Sequence, residues 1–525
     1  NTAGGNITFS ETLNSDTTAA RTLGLTAGTG NVLFTGLVGN TNTLGAVTVS
    51  SAADVTVNGL RAASFEQMDG TGITTINTGG FTSTEQGIAT TASEGVVINN
   101  DVITINDSID TTGNGVVTLT TDNGLLTIAA LGDINADGAV QLTGSTGIQT
   151  AGDITTSDDN ITFESEVTAT GGIVINTGSG AGTVAFNSTL DSDADGSGNT
   201  NARTLEITAG TGNIDFDNAV GNTKTLGAVT INSAATLTAD STIEAVSFLQ
   251  KAGTLTILTD NVTTTTAVGV DITATDIRLD GLTINTATGN GVVTMNGATR
   301  LGNDVTITRG TGAVTFTGTV DSQASETNNL TIDGTNGGSI AFQNNVGATG
   351  TNNAGRLGAV TIATATGVTV SDNKSFNAVS FEQQNGSGTT TFGGTVNTSG
   401  RIGGDPANAN GIDITTSAVR FKDTVTTTNG GAVRIDNAGQ LSIDNNANFS
   451  VNGKFDQVGG GTTVLGGNIT TADADISFNK GVTLSQGVSL STGGGSSSAG
   501  NITFTETVDA TTAGSETLAL TAGQG

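Results

Sequence analysis

Leu25-Thr-Ala-Gly-Thr-Gly-Asn-Val-Leu-Phe34 returns 182 residues later as Ile207-Thr-Ala-Gly-Thr-Gly-Asn-Ile-Asp-Phe216. The agreement runs on: Gly39-Asn-Thr-Asn-Thr-Leu-Gly-Ala-Val-Thr48 recurs as Gly221-Asn-Thr-Lys-Thr-Leu-Gly-Ala-Val-Thr230, and a less regular third copy holds Leu357-Gly-Ala-Val-Thr361. Within each phrase apolar and polar residues alternate for four to six positions, then give way to Gly, Asn, Asp or Thr. A period of two is the mark of a strand with one buried face. Asn6-Ile-Thr-Phe9, Thr183-Val-Ala-Phe186 and Asn501-Ile-Thr-Phe504 repeat the pattern, and no segment carries a helical period with caps. Gly supplies the left-handed backbone that tight turns require, as in Ala27-Gly28-Thr29-Gly30. The single Pro leaves the backbone donors of a long ladder intact.

A longer period lies above this one. Ser64-Phe65-Glu66-Gln67 returns as Ser380-Phe381-Glu382-Gln383, 316 residues on. Asp153-Ile-Thr-Thr156 with Asn160-Ile-Thr-Phe163 returns as Asn468-Ile-Thr-Thr471 with Asp475-Ile-Ser-Phe478, 315 residues on. The chain therefore reads as half-units over 1–152, 153–312, 313–467 and 468–525, the third copying the first and the fourth beginning a copy of the second. The last residues, Thr517 to Gly525, match Thr204 to Gly212 and stop inside the repeat. With Asn1 in first place and no signal peptide, the expectation is an interior piece of a longer protein.

Phenylalanine sets a coarser rhythm: Phe9 to Phe34 is 25 residues, Phe163 to Phe186 is 23, and Phe316 to Phe342 and Phe478 to Phe504 are both 26. A step of about 20–30 residues suits one coil of two or three short strands with turns. Longer steps, such as the 30 from Phe186 to Phe216, point to corner insertions like that between Asp191 and Asn201. The fold class expected is all-β, a parallel β-solenoid (β-helix) with like side chains stacked inside. Tandem β-sandwich domains are the alternative. One coil cannot bury its own apolar face, but stacked neighbours bury it together. At about 4.8 Å per coil, some 20–25 coils would form a rod on the order of 100 Å. Phe34, Val47 and Phe216 are expected to point inward.

Composition agrees with a thin core. Of 525 residues 78 are Gly, 34% are hydrophobic, 3% are aromatic, and Trp, Tyr, His and Cys are absent. Compact globular cores usually need larger side chains. Disorder is countered by the regular β-branched runs, such as Gly115-Val-Val-Thr-Leu119. Lys plus Arg number 16 against 47 Asp plus Glu, for a net charge of −31, which repels phosphate backbones and anionic lipid. Nucleic-acid partners are therefore not expected. Membrane insertion is not expected either, because no apolar run approaches the roughly 18 residues of a spanning helix. Without Cys there are neither disulfides nor thiolate metal sites.

The repeated Gly-Asn-Ile-Thr-Phe and Leu-Thr-Ala-Gly-Thr-Gly-Asn phrases resemble, across the whole chain, the repeat regions of filamentous-haemagglutinin-like giant surface proteins of bacteria. The resemblance rests on repeat wording and composition. It implies a right-handed parallel β-helical adhesin, exported across the outer membrane and used in attachment or aggregation. The Asn-Pro-Asn signature of the family's secretion domain does not occur in this sequence, so the resemblance does not assign an export route.

Chemistry-bearing residues are few. Absence of His and Cys removes the usual bases and nucleophiles, and sugar platforms normally want Trp or Tyr. The expectation is a non-enzyme that requires no cofactor. Calcium is the one ligand with a motif. Asp133-Ile-Asn135-Ala-Asp137-Gly138 and Asp191-Ser-Asp193-Ala-Asp195-Gly196 match the opening of a calcium loop, where alternate oxygens wrap the ion before a Gly turn. Both lack the acidic residue at the twelfth position, where Gly144 and Ala202 stand, and Asp-rich turns in an acidic protein are the competing reading. Gly28-Thr-Gly30 and Gly178-Ser-Gly180 open no helix and read as turns. The sequons at Asn6, Asn160, Asn261 and Asn501 follow from an Asn- and Thr-rich composition. Arg21 and Arg203 are repeat equivalents that surface ion pairing would explain.

Three classes of function compete. The first is an extracellular fibre or adhesin stalk on a bacterial surface, self-associating or continuing in the same long chain, and holding a cell-surface or glycan receptor. The second is a lattice or sheath component, and the third a secreted polysaccharide-binding or polysaccharide-cleaving β-helix. The third would need a non-repeated polar patch, and the non-repeated loops lie near Asp133, Asp191 and Asp405-Pro406.

Overall fold

The computed structural model describes residues 4–78, 81, 87–194, 202–335, 337–347, 355–404, 409–493 and 500–522. The protein folds as a parallel β-solenoid of about 21 turns. It divides into two compact units, Asn1–Ile257 and Leu258–Gly525.

In the first unit each coil contributes up to three short strands, and each strand hydrogen-bonds to its counterpart one coil away. One ladder runs Ile7–Phe9, Val32–Phe34, Val55–Val57, Ile73–Ile76, Val102–Ile105, Leu126–Ile128, Ile148–Thr150, Val167–Ala169 and Leu190–Ser192. Its registers pair like with like: Ile7 with Val32, Val32 with Val55, Ile103 with Leu126, Leu126 with Ile148. A second ladder holds Ile161–Phe163, Val184–Phe186 and Ile214–Phe216. Paired residues of this unit lie 18 to 32 residues apart, from Leu44 with Ala62 to Ile173 with Leu205. That is the coil length expected from the Phe rhythm.

The second unit is built alike. Val314–Phe316, Ser339–Phe342, Gly367–Val370, Thr389–Phe392, Ala418–Phe421, Leu441–Ile443, Thr463–Leu465 and Val482–Leu484 form one ladder. Its paired residues lie 19 to 31 apart, as in Val482 with Thr463 and Ile412 with Phe381. Among the described residues the one helical element is a 3₁₀ turn, Ile402–Gly404. Every described pairing in both units is parallel, whereas β-sandwich domains are antiparallel. The sandwich alternative is therefore wrong.

The three-residue strands explain how so little apolar material makes a core. In Val32–Phe34 and Ile214–Phe216 the outer two side chains are buried and the middle one is half-exposed. Phe34 and Val47 are fully buried and Phe216 is 1% exposed, as the alternation predicted. Register then stacks ring on ring. Phe9 and Phe34 lie 5.2 Å apart at 8°, Phe163 and Phe186 4.5 Å at 2°, Phe316 and Phe342 5.4 Å at 2°, and Phe478 and Phe504 5.4 Å at 5°. Such pairs contribute about 0.5–1.5 kcal/mol each beyond area burial. Two glycines of the repeated phrase have no substitute at the corners. Gly39 and Gly221 sit at φ +70° and +75°, and a Cβ there would lie 2.1 Å and 2.0 Å from the carbonyl oxygens of Arg61 and Glu244.

Candidate functional surface

With Val, Ile, Leu and Phe turned inward, the outward and corner positions hold what chemistry the chain has. An Asn or Asp just before a strand takes up a recurring task. Asn6 Oδ1 accepts the backbone N–H of Asn31 (3.0 Å), Asn31 Oδ1 that of Asp54 (3.2 Å), and Asp54 Oδ1 that of Ile73 (2.9 Å). In the second unit Asn448 serves Asn468 (2.9 Å) and Asn468 serves Ser489 (2.7 Å). Asp304, Asn329 and Ala359 form a like series at 2.7 Å per step. Each side chain thus satisfies a corner donor one coil away, which accounts for the Asn of the Gly-Asn-Ile-Thr-Phe phrase.

Asp133 belongs to such a series. Its Oδ1 accepts the N–H of Asp153 (2.9 Å), whose own Oδ1 accepts that of Val174 (2.8 Å). Asn135 lies in the strand Ile134–Ala136, outward, and donates to Asp110 Oδ1 (2.9 Å). Asp137 accepts the N–H of Asn114 (2.8 Å). That bond, with one from the Ser157 hydroxyl, holds its carboxyl below the usual range. The three residues therefore occupy a strand and its flanks in place of a loop wrapped on itself. Alternate residues of a strand are about 6.6 Å apart, whereas calcium ligands sit at roughly 2.3–2.6 Å from the ion.

At the second motif Asp191 is buried and its Oδ1 accepts the N–H groups of Thr223 (2.9 Å) and Lys224 (3.1 Å). Asp193 makes a two-pronged pair with Arg203, Nε to Oδ1 at 2.7 Å and an Nη to Oδ2 at 3.1 Å, which lowers its pKa. Asp195 lies outside the described residues, as does the Asp405-Pro406 loop. Among the described residues no group of three or more His, Cys, Asp or Glu side chains is placed to hold a metal ion. The repeat partner Arg21 pairs with Asp16 at 2.6 Å, so both arginines do what surface ion pairing predicted.

The tightest basic pair is likewise occupied: Arg420 grips Asp444 at 2.8 Å and Lys422 meets Asp372 at 2.7 Å. Lys422 and Asp444 border an open groove of about 420 Å³ that also includes Ser442, Asn445 and Ser485. Outward carboxyls of another kind are Asp215, Glu244 and Asp271, whose pKa values burial raises; Asp217 and Asp240 add to the effect at Asp215.

Residues that sequence reasoning missed lie inside the corners. Arg309 is 1% exposed and donates to the carbonyls of Gly312 (2.9 Å) and Thr364 (2.8 Å), and burial lowers its pKa. Gln67, Gln250 and Gln383 are also buried. For Gln67 and Gln383 the recurrence of Ser-Phe-Glu-Gln was the available signal, which Gln250 shares only as Ser247-Phe-Leu-Gln250; Arg309 carried none. No protein-family model, no curated protein and no solved structure matches the chain.

Proposed function

We propose that the chain is a structural segment of an extracellular bacterial surface fibre or adhesin stalk, of the filamentous-haemagglutinin-like kind. In this reading the coils themselves are the working part: they supply reach and stiffness for attachment or aggregation, and no catalytic step is involved. The observation that carries it is the commitment of the outward polar groups to neighbouring coils. Asn6, Asn31, Asp54, Asp133, Asp153 and Asn468 each satisfy a backbone donor one coil away, and Arg203 and Arg420 are closed by carboxylates. A surface so occupied supports stacking and leaves little poised for reaction. The partners that fit are a continuation of the same chain, a second copy, or a cell-surface or glycan receptor. The charge of −31 disfavours nucleic acid.

The test is cryo-electron microscopy of the purified chain together with binding assays on soluble polysaccharides. Long particles with an axial spacing near 4.8 Å and no saturable uptake or cleavage of polysaccharide are expected. Compact particles, or turnover of a polysaccharide, would sink the reading.

A further inference from the structure

The Ser-Phe-Glu-Gln phrase is not explained by apolar stacking, because its glutamine points inward. Gln67, 0% exposed, and Gln383, 1% exposed, end this phrase, and Gln250, 0% exposed, ends its variant Ser247-Phe-Leu-Gln250. In all three, Oε1 accepts the hydroxyl of a buried threonine met after the next corner: Thr74 at 2.6 Å, Thr256 at 2.7 Å and Thr390 at 2.5 Å. In all three, Nε2 has no hydrogen-bond partner among the described residues. A glycine follows three residues on, at Gly70, Gly253 and Gly386. At Gly70 and Gly386 a Cβ would lie 2.8 Å and 2.4 Å from that same nitrogen, so the glycine lets the amide lie close against the backbone; at Gly70 the Asn100 Oδ1 comes to the same place, 2.2 Å from such a Cβ.

A fourth corner supplies the contrast. Gln457 is equally buried, yet its Nε2 donates to Asn437 Oδ1 (2.7 Å) and to the carbonyls of Gly459 (3.0 Å) and Gly461 (3.1 Å). The coil can therefore satisfy such an amide from its own chain, and at three corners it does not. Leaving a buried donor unmet costs its full desolvation, and an apolar side chain would avoid that cost. Turning the amide over does not help: it exchanges an unmet donor for an unmet acceptor. The partner must be a group that serves either way, fits a small polar space and recurs with the corner. Beside Gly386 lies a cleft of about 160 Å³, lined by Thr335, Thr364, Ala365, Asn385, Gly386 and Ser387. Thr416 Oγ would lie 2.2 Å from a Cβ on Gly386, which brings a second polar atom to the same spot.

We infer that Gln67, Gln250 and Gln383 each form a binding site for one internal water molecule. The water accepts from Nε2 and donates to polar groups of the corner, giving the two to four partners a buried water requires. The glutamine, its threonine and the glycine three residues on are the elements of the site.

A crystal structure of the chain at a resolution that places waters tests this. Ordered density within hydrogen-bond distance of Nε2 is expected at Gln67, Gln250 and Gln383, and none at Gln457. Gln383→Met keeps the length of the side chain and removes its polarity; it should lose that one water and retain the other two. Empty corners in the unmutated chain, or a water that persists in Gln383→Met, would overturn the inference. Should Gln383→Met fail to fold, oxygen-17 relaxation dispersion on the unmutated chain decides: at least three long-lived internal waters are expected, and fewer refutes it.

Discussion

Phe186→Ala is the sharpest probe of the stacked interior. The ring is 1% exposed and lies between two others, 4.5 Å from Phe163 at 2° and 5.3 Å from Phe216 at 18°. Truncating a buried Phe to Ala costs about 3–5 kcal/mol, of which the two stackings account for roughly 1–3 kcal/mol. In a repeat architecture each coil touches its neighbours alone, so the cost falls on the coils it joins. Those are the coils holding Ile161–Phe163, Val184–Phe186 and Ile214–Phe216. Each 1.4 kcal/mol is tenfold in an equilibrium constant, so local opening should rise by about two to three orders of magnitude. Native-state hydrogen exchange read by mass spectrometry follows this peptide by peptide. Protection should fall over Ile161–Phe163, Val184–Phe186 and Ile214–Phe216 and stay unchanged over Val425–Thr427 in the other unit. Phe186→Leu should restore most of it. Unchanged protection at 184–186 would show that the ring is not packed inside. A uniform loss across both units would show a single cooperative domain, and the nearest-neighbour reasoning would fail.

Asp133→Asn keeps the acceptor for the Asp153 N–H and should leave thermal unfolding unchanged, whereas Asp133→Ala should cost about 1 kcal/mol. A calcium-dependent rise in Tm that Asp133→Asn abolishes would instead make this residue a ligand. Gly221→Ala, at φ +75° and 2.0 Å from a carbonyl oxygen, should destabilise by at least about 1–3 kcal/mol. Gly24→Ala, with open space around its Cβ, should stay within about 0.5 kcal/mol, and urea midpoints compare the two. Acidity should act in two directions. The carboxyls of Asp215, Glu244 and Asp271 have raised pKa values, so their contribution to stability is lost as pH rises through those values and gained on mild acidification. The carboxyl of Asp193 is lowered by Arg203, so its contribution is present above the ordinary carboxylate range and disappears as pH falls through its folded value. Tm should therefore climb as pH falls from neutrality towards the ordinary carboxylate range and decline below that range; Asp215→Asn should flatten the climb, and an unaltered climb would contradict the assignment.

The fold was legible because its signal is local and redundant. Alternation in Asn6-Ile-Thr-Phe9 or Thr183-Val-Ala-Phe186 marks the buried face, and the Phe steps mark the coil. The paired rings are those that the spacing picked out. The surface was harder to read because oxygen ligands, corner acceptors and ion-pair partners use the same residue types. Asp133-Ile-Asn135-Ala-Asp137 has the lettering of a calcium loop and the conformation of a strand with its flanks, since Ile134 and Ala136 pair inward with Ile154 and Thr156. The alternation that identified strands elsewhere was present there too. Arg309 shows the opposite gap: burial of a cation depends on where a corner turns, and no local pattern separates it from the surface arginines.

Charge and stacking together constrain what these faces can meet. Parallel pairing uses the backbone donors and acceptors between coils, so the side faces offer side chains in place of strand edges. The chain as a whole carries 47 carboxylates against 16 cations, and several of the cations, Arg21, Arg203, Arg420 and Arg434 among them, are already closed by short ion pairs. Exposed pairs of this kind add little stability, about 0–1 kcal/mol each, but they leave the uncompensated charge negative. Two such faces brought together repel one another at low ionic strength and less so as salt screens them over about 10 Å at 0.1 M. A partner that binds through the faces must therefore supply cationic groups or neutral hydrogen-bonding surface. Contact along the coil axis is different in kind, because there the attraction is the backbone ladder itself, which salt leaves untouched.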